Sequence, residues 1–333
     1  MTLDPAVFTH INAYRFRDFH PSLFLGTTSD RYAGWMGQIY TADKYEGRIT
    51  SRTKVLDGKT YYEEVLPVES VSEYFTHFPA LELDFTFYRP LLDQKGEPTS
   101  NLKVLETYAR YIGSGDSLIV KVPQAVTARK IRKGEIFIDN PDYLDPDLFT
   151  RRFYEPLVEI CGPSLQGLIF EQEYSRKSEG GDVRTLAAEL DRFLKEIPDD
   201  DRYHFEIRTS RFLDDPLFQV LNSHGTGLLY SHWTWLPRLA EQMDKVGEKV
   251  NNRAGAQVVR LLTPRGMTYS KTYAAAHPFD RMVEGQLRDD MIEDTLEVIR
   301  GVLRQGKRLF LLINNRFGGN APDTARILLE RVL

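Results

Sequence analysis

From about residue 22 to the C-terminus, short apolar runs alternate with apolar sets at helical spacing, and the alternation repeats about eight times. The runs fall near residues 22–28, 80–88, 118–122, 167–172, 203–208, 227–231, 257–262 and 308–313. Between them lie sets such as Val183, Leu186, Leu190, Phe193, Leu194 and Ile197, or Ile292, Leu296, Ile299 and Leu303, whose three- and four-residue steps place them on one helix face. A strand followed by a helix and then by another strand must run parallel to the first, because the helix carries the chain back to the starting end. Local signals agree. Asp145-Pro146 and Asp215-Pro216 are helix starts with a first-turn proline, Asp182 is an N-cap, and Ser70-Val71-Ser72-Glu73 has the capping-box pattern. Pro156 interrupts a helical pattern and predicts a kink or split there.

Eight such units fit a (β/α)8 TIM-like barrel, an α/β fold of one domain spanning residues 1–333. The rival, an open doubly wound sheet, carries a glycine fingerprint after its first strand. Here that strand ends Gly26-Thr27-Thr28-Ser29-Asp30, with no such fingerprint. Two segments exceed ordinary connections. Residues 41–68 read as an inserted excursion after the first strand, with Asp57-Gly58 as a hairpin turn between β-prone stretches. Residues 263–288 are long for a loop and read as a lid candidate.

Strand side chains alternate faces, and the outer face of a barrel packs on helices. The polar set of each run should therefore face inward. In residues 80–87 the apolar set is Leu81, Leu83, Phe85 and Phe87, which turns Glu82, Asp84 and Thr86 inward. The same parity puts Lys121, Glu171, Glu206, Arg208 and Arg260 inside, with His204 nearer the floor and Asn314 and Asn315 at the tip of the last strand. A barrel interior is ordinarily filled by branched aliphatic residues. Seven charges there (Glu82, Asp84, Glu171, Glu206, Lys121, Arg208, Arg260) mark either a functional site or a structural ion-pair network.

Six stretches, in order, resemble the YecE-like proteins, domain of unknown function 72. Leu81-Glu82-Leu83-Asp84-Phe85-Thr86-Phe87-Tyr88-Arg89-Pro90 is similar to that family's E-(I/L)-N-x-T-F-Y-R-x-P strand motif. Gly26-Thr27-Thr28 with Trp35, Gly37 and Tyr40, then Val120-Lys121-Val122-Pro123, Phe205-Glu206-Ile207-Arg208, Val259-Arg260-Leu261 and Asn314-Asn315-Arg316-Phe317-Gly318-Gly319-Asn320-Ala321-Pro322 resemble its other segments. The resemblance covers residues 22–332 and implies a TIM-like barrel without an established reaction. Three departures stand out. Asp84 replaces a usual Asn, Glu171 a usual Gln, and the 41–68 excursion is longer than usual.

The site expected at the C-terminal mouth binds a small polar anion, a sugar phosphate or nucleotide. Arg208, Arg260 and Lys121 are its charge partners, with Lys121 counted, beside Glu206 and Glu82, among the groups for acid–base work. Asp84, Glu171, Asn314, Asn315, Tyr88, Trp35 and His232 are further contacts. Gly318 and Gly319 open a helix start receptive to anions. The aromatics Trp35, Tyr40, Tyr88, Trp233 and Trp235 fall at mouth positions, where they either stack a sugar or base or pack loops.

Other chemistries are disfavoured. The 7 histidines form no H-x-H or H-E-x-x-H pair, and only His232 sits at a strand's C-terminal end, so no metal and no cofactor are expected. Barrel glycosidases commonly carry a Glu on the seventh strand, where this chain has Arg260. The single Cys161 forbids an internal disulfide and reads as core. A net charge of −5 argues against a nucleic-acid coat, although nucleic-acid binding like that of barrel endonucleases stays the alternative, as does a binding module without chemistry. The acidic N-terminal stretch and the lack of long apolar runs predict a cytoplasmic chain with no membrane partner.

Overall fold

A computed structural model describes residues 14–133, 136–176 and 181–332. Among them run twelve strands: β1 (Leu23–Thr28), β2 (Thr50–Leu56), β3 (Lys59–Val65), β4 (Ala80–Leu83), β5 (Ser117–Lys121), β6 (Lys130–Lys133), β7 (Ile136–Asp139), β8 (Leu165–Gln172), β9 (Tyr203–Ile207), β10 (Gly227–His232), β11 (Ala256–Leu261) and β12 (Arg308–Ile313). Eight close into a barrel in the order β1-β12-β11-β10-β9-β8-β5-β4, every neighbour parallel. The remaining four form two antiparallel hairpins, β2–β3 and β6–β7, outside the barrel.

The inward–outward parity holds for the strands themselves. Leu81, Leu83, Leu118, Val120, Leu168, Phe170, Tyr203, Phe205, Val259 and Leu261 belong to the large apolar layer between sheet and helices. A separate, smaller cluster, Ala80, Ile119, Ile169, Leu229, Ala256, Val258, Phe310 and Leu312, fills the barrel's lower interior. This apolar floor sits below the charged layer formed by Glu82, Lys121, Glu171, Glu206 and Arg260.

Several local expectations change. β4 ends at Leu83, and Phe85–Tyr88 is a 3-10 turn rather than strand. Its aromatic alternation mimics a strand, but Phe87 N–H bonds back to Asp84 O, and Thr86 Oγ1 reaches Lys121 O at 2.7 Å. Phe87 therefore lines the mouth instead of facing outward. The capping box at Ser70 does not form, because a 3-10 turn (Val68–Ser70) already precedes the helix and Ser70 is itself helical. Glu73 is used instead by Thr41, whose Oγ1 bonds it at 2.6 Å.

Asp145 caps its helix through Asp147 and Leu148, as expected. Pro156 does not break that helix; a π-helical stretch, Thr150–Tyr154, precedes it. The proline cannot bond the Arg152 carbonyl, and Leu92 N–H takes that carbonyl at 3.0 Å. Asp57-Gly58 forms the hairpin turn of β2–β3, with φ of 48° and 75°, the left-handed values such a two-residue loop demands. The β6–β7 hairpin was not expected. No described helix is long and apolar enough to cross a membrane.

Candidate functional site

The polar ends of the strands converge on one charged layer. Glu82 leaves β4, Lys121 β5, Glu171 β8, Glu206 β9 and Arg260 β11, while Arg208 lies just past β9. Glu171 and Glu206 are register partners on adjacent strands. Arg260 grips Glu82 with two bonds, Nη2–Oε1 at 2.7 Å and Nε–Oε2 at 2.9 Å. Its Nη1 reaches Glu206 and, at 3.3 Å, Glu171. Glu171 Oε2 also takes Lys121 Nζ at 2.7 Å and Arg208 Nη2 at 2.8 Å, and Arg208 bonds Glu206 Oε2 at 3.1 Å. Ser231 Oγ donates to the second Glu206 oxygen.

Three carboxylates and three cations thus neutralise one another. The balance is uneven in detail. Burial pushes the Glu82 carboxyl up to about 7, against the pull of Arg260 and Lys121. Glu171 is only partly buried, and Arg208, Lys121 and Arg260 hold it well below the ordinary carboxylate range. Three cations converging on one carboxylate outweigh the desolvation that dominates at Glu82.

Above this layer opens a cavity of about 540 Å³. Lys121, Glu171, Arg208 and Arg260 form its charged base, and Asp84, Tyr88, Asn314, Asn315 and Arg316 stand on its sides. Its roof combines the two long excursions. Arg52, Lys54 and Glu63 come from β2–β3, and Tyr269, Tyr273 and Phe279 from the 263–288 segment, which contains a helix, Tyr269–Ala276. Lys54 Nζ bonds Tyr269 OH at 2.8 Å and lies 4.5 Å over the Tyr273 ring, and Tyr273 OH donates to Glu63. The hairpin and the helix therefore clasp each other across the mouth.

Cations at the cavity wall lie on aromatic faces. Lys121 Nζ is 3.7 Å from the Phe87 ring centre, the Arg208 guanidinium carbon 4.0 Å from Trp233, and that of Arg316 4.3 Å from Tyr269. Such contacts hold a cation without using a carboxylate. Arg316 makes no ion pair with any described residue, and its Nε is buried without a hydrogen-bond partner. Burial lowers its pKa, with Arg208 and Arg260 adding to the shift. Asp84 is the converse, a half-buried lining carboxylate with no side-chain hydrogen bond or ion pair to any described residue.

The sequence-derived site residues divide accordingly. Lys121, Glu171, Arg208, Arg260, Asp84, Tyr88, Asn314 and Asn315 share the cavity. Glu82 and Glu206 are fully buried beneath it and do not line it, because the guanidinium of Arg260 covers both.

Trp35 is buried rather than at the mouth, donating Nε1–H to Asn315 Oδ1 at 3.0 Å and stacking on the equally buried Tyr40. It positions Asn315, whose Oδ1 also accepts from Ala321 N at 2.8 Å and whose Nδ2 has no partner. His232 is buried against Phe317, with Nδ1 on Thr263 O at 2.9 Å, and burial lowers its pKa. Of the remaining mouth aromatics, Trp233 lines the cavity and Trp235 is exposed outside it.

Gly318 and Gly319 form no anion cradle. The 281–283 segment packs directly on them: a Cβ at Gly319, where φ is 112°, would lie 2.5 Å from Arg281 O and 2.6 Å from Val283 N. Asn320 caps the following helix through Asp323 N–H at 2.8 Å. Arg316 was missed because it lies beyond the last strand, where parity gives no direction. No group of three or more His, Cys, Asp or Glu suited to a metal occurs among the described residues.

A search of curated proteins found no match. Among solved structures, a DUF72 family protein from Enterococcus faecalis V583 aligns with a TM-score of 0.56 at 15% identity, covering 93% of this chain and 95% of that one. A DUF72 family protein from Thermotoga maritima MSB8 aligns with a TM-score of 0.52 at 14% identity, covering 93% and 98%. At such identities the likeness is one of fold. The family profile described as "Protein of unknown function DUF72" matches residues 51–333. Its match takes in five of the six motif stretches; the Gly26–Tyr40 stretch precedes it. The closed eight-stranded barrel and the profile match agree, and the chain belongs to the DUF72 family.

Proposed function

We propose that the roofed cavity binds a small polar anion of the sugar-phosphate or nucleotide kind. The observation that carries this reading is Arg316, a desolvated guanidinium at the cavity wall without a carboxylate. Removing a cation from water costs several kcal/mol unless a counter-charge is supplied. The other wall and base cations have theirs: Arg52 and Lys54 pair with Glu63, and Lys121, Arg208 and Arg260 with the inner carboxylates. A bound anion completes Arg316. Lys121, Arg208 and Arg260 are engaged by Glu82, Glu171 and Glu206 and leave the anion to Arg316.

Acid–base roles for Glu82 and Glu206 find no support in this geometry, since neither reaches the cavity. Binding is therefore the reading we adopt.

Thermal-shift measurement against phosphorylated metabolites and nucleotides tests it. A ligand at a hundredfold excess over Kd should stabilise the native protein by about 2.7 kcal/mol. Arg316→Gln should abolish the shift while raising the unliganded midpoint, because the uncompensated buried charge is gone. Shifts that survive Arg316→Gln would overturn the assignment, and stabilisation by DNA alone would favour the nucleic-acid alternative, for which the exposed Tyr88, Tyr174 and Trp235 are the available stacking surfaces.

A further inference from the structure

The cavity carries two charges of opposite sign that the protein leaves unpaired, Arg316 and Asp84, and they do not pair with each other. All other charged side chains on its wall and base are engaged. Glu63 takes Arg52 and Lys54, and Glu171 takes Lys121, Arg208 and Arg260. Glu173 accepts from Arg129 N–H at 2.9 Å. An anion alone would satisfy Arg316 and face a repulsive Asp84. A neutral polyol would satisfy neither charge fully.

Resting on the anion reading of this site, we propose that the ligand is zwitterionic: its phosphate or carboxylate meets Arg316, and a protonated amine meets Asp84. The surroundings of Asp84 suit an ammonium. Tyr32, Phe85, Phe87 and Tyr88 line the cavity as well, and aromatic rings in a site with a carboxylate favour a desolvated cation over a hydroxyl. A hydrogen bond to a charged partner is also stronger than one between neutral groups.

Asp84 acts here as a specificity-determining residue. It selects between ligands that share an anion and differ in a single substituent. The cavity volume of about 540 Å³ admits a metabolite of amino-acid or amino-sugar size.

The experiment uses matched pairs differing by amine against hydroxyl: phosphoserine with 3-phosphoglycerate, glucosamine 6-phosphate with glucose 6-phosphate, and aspartate with malate. Affinities are measured by titration calorimetry on the full-length protein. We expect the aminated member of at least one pair to bind about ten- to a hundredfold more tightly, the range of one charged hydrogen bond. Asp84→Asn should remove that preference, bringing the two members of the pair within about threefold of each other with the hydroxyl member bound at least as tightly as by the wild type, and Arg316→Gln should weaken both members.

Equal binding of both members in the wild-type protein overturns the zwitterion inference and leaves the anion reading standing. Binding of neither member in any pair overturns both. An amine preference that persists in Asp84→Asn overturns the role of Asp84.

Discussion

Glu82 and Glu171 occupy neighbouring places in one ion cluster and are driven in opposite directions, and the difference is measurable. Glu82 is fully buried, and its carboxyl rises from 4.5 to about 7. Between those values the native state keeps a proton that the unfolded chain has released. Stability from this group therefore falls as pH rises through the window, by up to about 1.4 kcal/mol per pH unit. Glu171 behaves oppositely: its contribution is present above 4.5 and is lost as pH falls below it.

Glu82→Gln removes only the first effect. In urea unfolding between pH 5 and 8, the variant's deficit against wild type should be largest near pH 5 and shrink toward pH 8. A deficit that stays constant from pH 5 to 8 would show that Arg260 keeps Glu82 charged and that the two-bond ion pair outweighs burial. The sequence made the inward direction of both residues legible, because period-two alternation fixes a face. It could not rank their depth, which depends on how far each strand rises above the apolar floor of Ile119, Ile169 and Leu229.

At the scale of elements, the two excursions act as one roof. Beyond its own ladder and a bridge from Val65 to Tyr32, β2–β3 is held by its contacts with the Tyr269–Ala276 helix and the loop after it, chiefly Lys54, Glu63, Tyr61 and the Tyr62 carbonyl. An isolated two-stranded hairpin is marginal in water, so its order depends on that docking. Tyr273→Phe deletes one hydroxyl from the contact and leaves Glu63 paired with Arg52 and Lys54. Hydrogen exchange should then quicken across residues 50–65, while the amides of β5, β8 and β9 keep their wild-type protection. Equal acceleration in hairpin and barrel would show the clasp to be part of the global fold rather than a local closure.

Asp57-Gly58 announced this hairpin because a two-residue turn leaves a chemical signature, and the length of the 263–288 segment flagged its partner. Their meeting was not legible, since it joins residues more than 200 positions apart through side chains that are individually ordinary. The aromatic run after Leu83 misled for the same kind of reason. Alternation of Phe85, Thr86 and Phe87 satisfies a strand's pattern, but the Thr86 bond to the neighbouring strand's carbonyl decides the turn.

For the whole molecule, charge distribution separates the small-anion reading from the nucleic-acid one. The chain carries a net charge of −5, while its cavity sets Arg52, Lys54, Lys121, Arg208, Arg260 and Arg316 against Glu63, Asp84, Glu171 and Glu173, with Arg316 the cation that has no ion pair to any described residue. A polyanion meets mainly the outer surface, where the net field repels it. A small anion enters a recess whose low-dielectric walls preserve the local attraction.

Salt then discriminates. A protein that neutralises 6–10 phosphates loses about 10³–10⁵ in affinity between 50 and 200 mM salt, through release of condensed counterions. A metabolite with one or two charges has no such atmosphere to release. Its affinity should change by less than about tenfold over that range, because contacts inside a recess are screened less than exposed ones. Calorimetric titration of phosphoserine and of a 20-nucleotide single strand at both salt concentrations makes the comparison. Weak salt dependence for phosphoserine with no measurable strand binding at 200 mM fits a roofed metabolite site. Strand binding that stays strong at 200 mM, with a steep slope, would mean that cations outside the cavity dominate, and the roof would then be a wall beside the working surface rather than a cover over it.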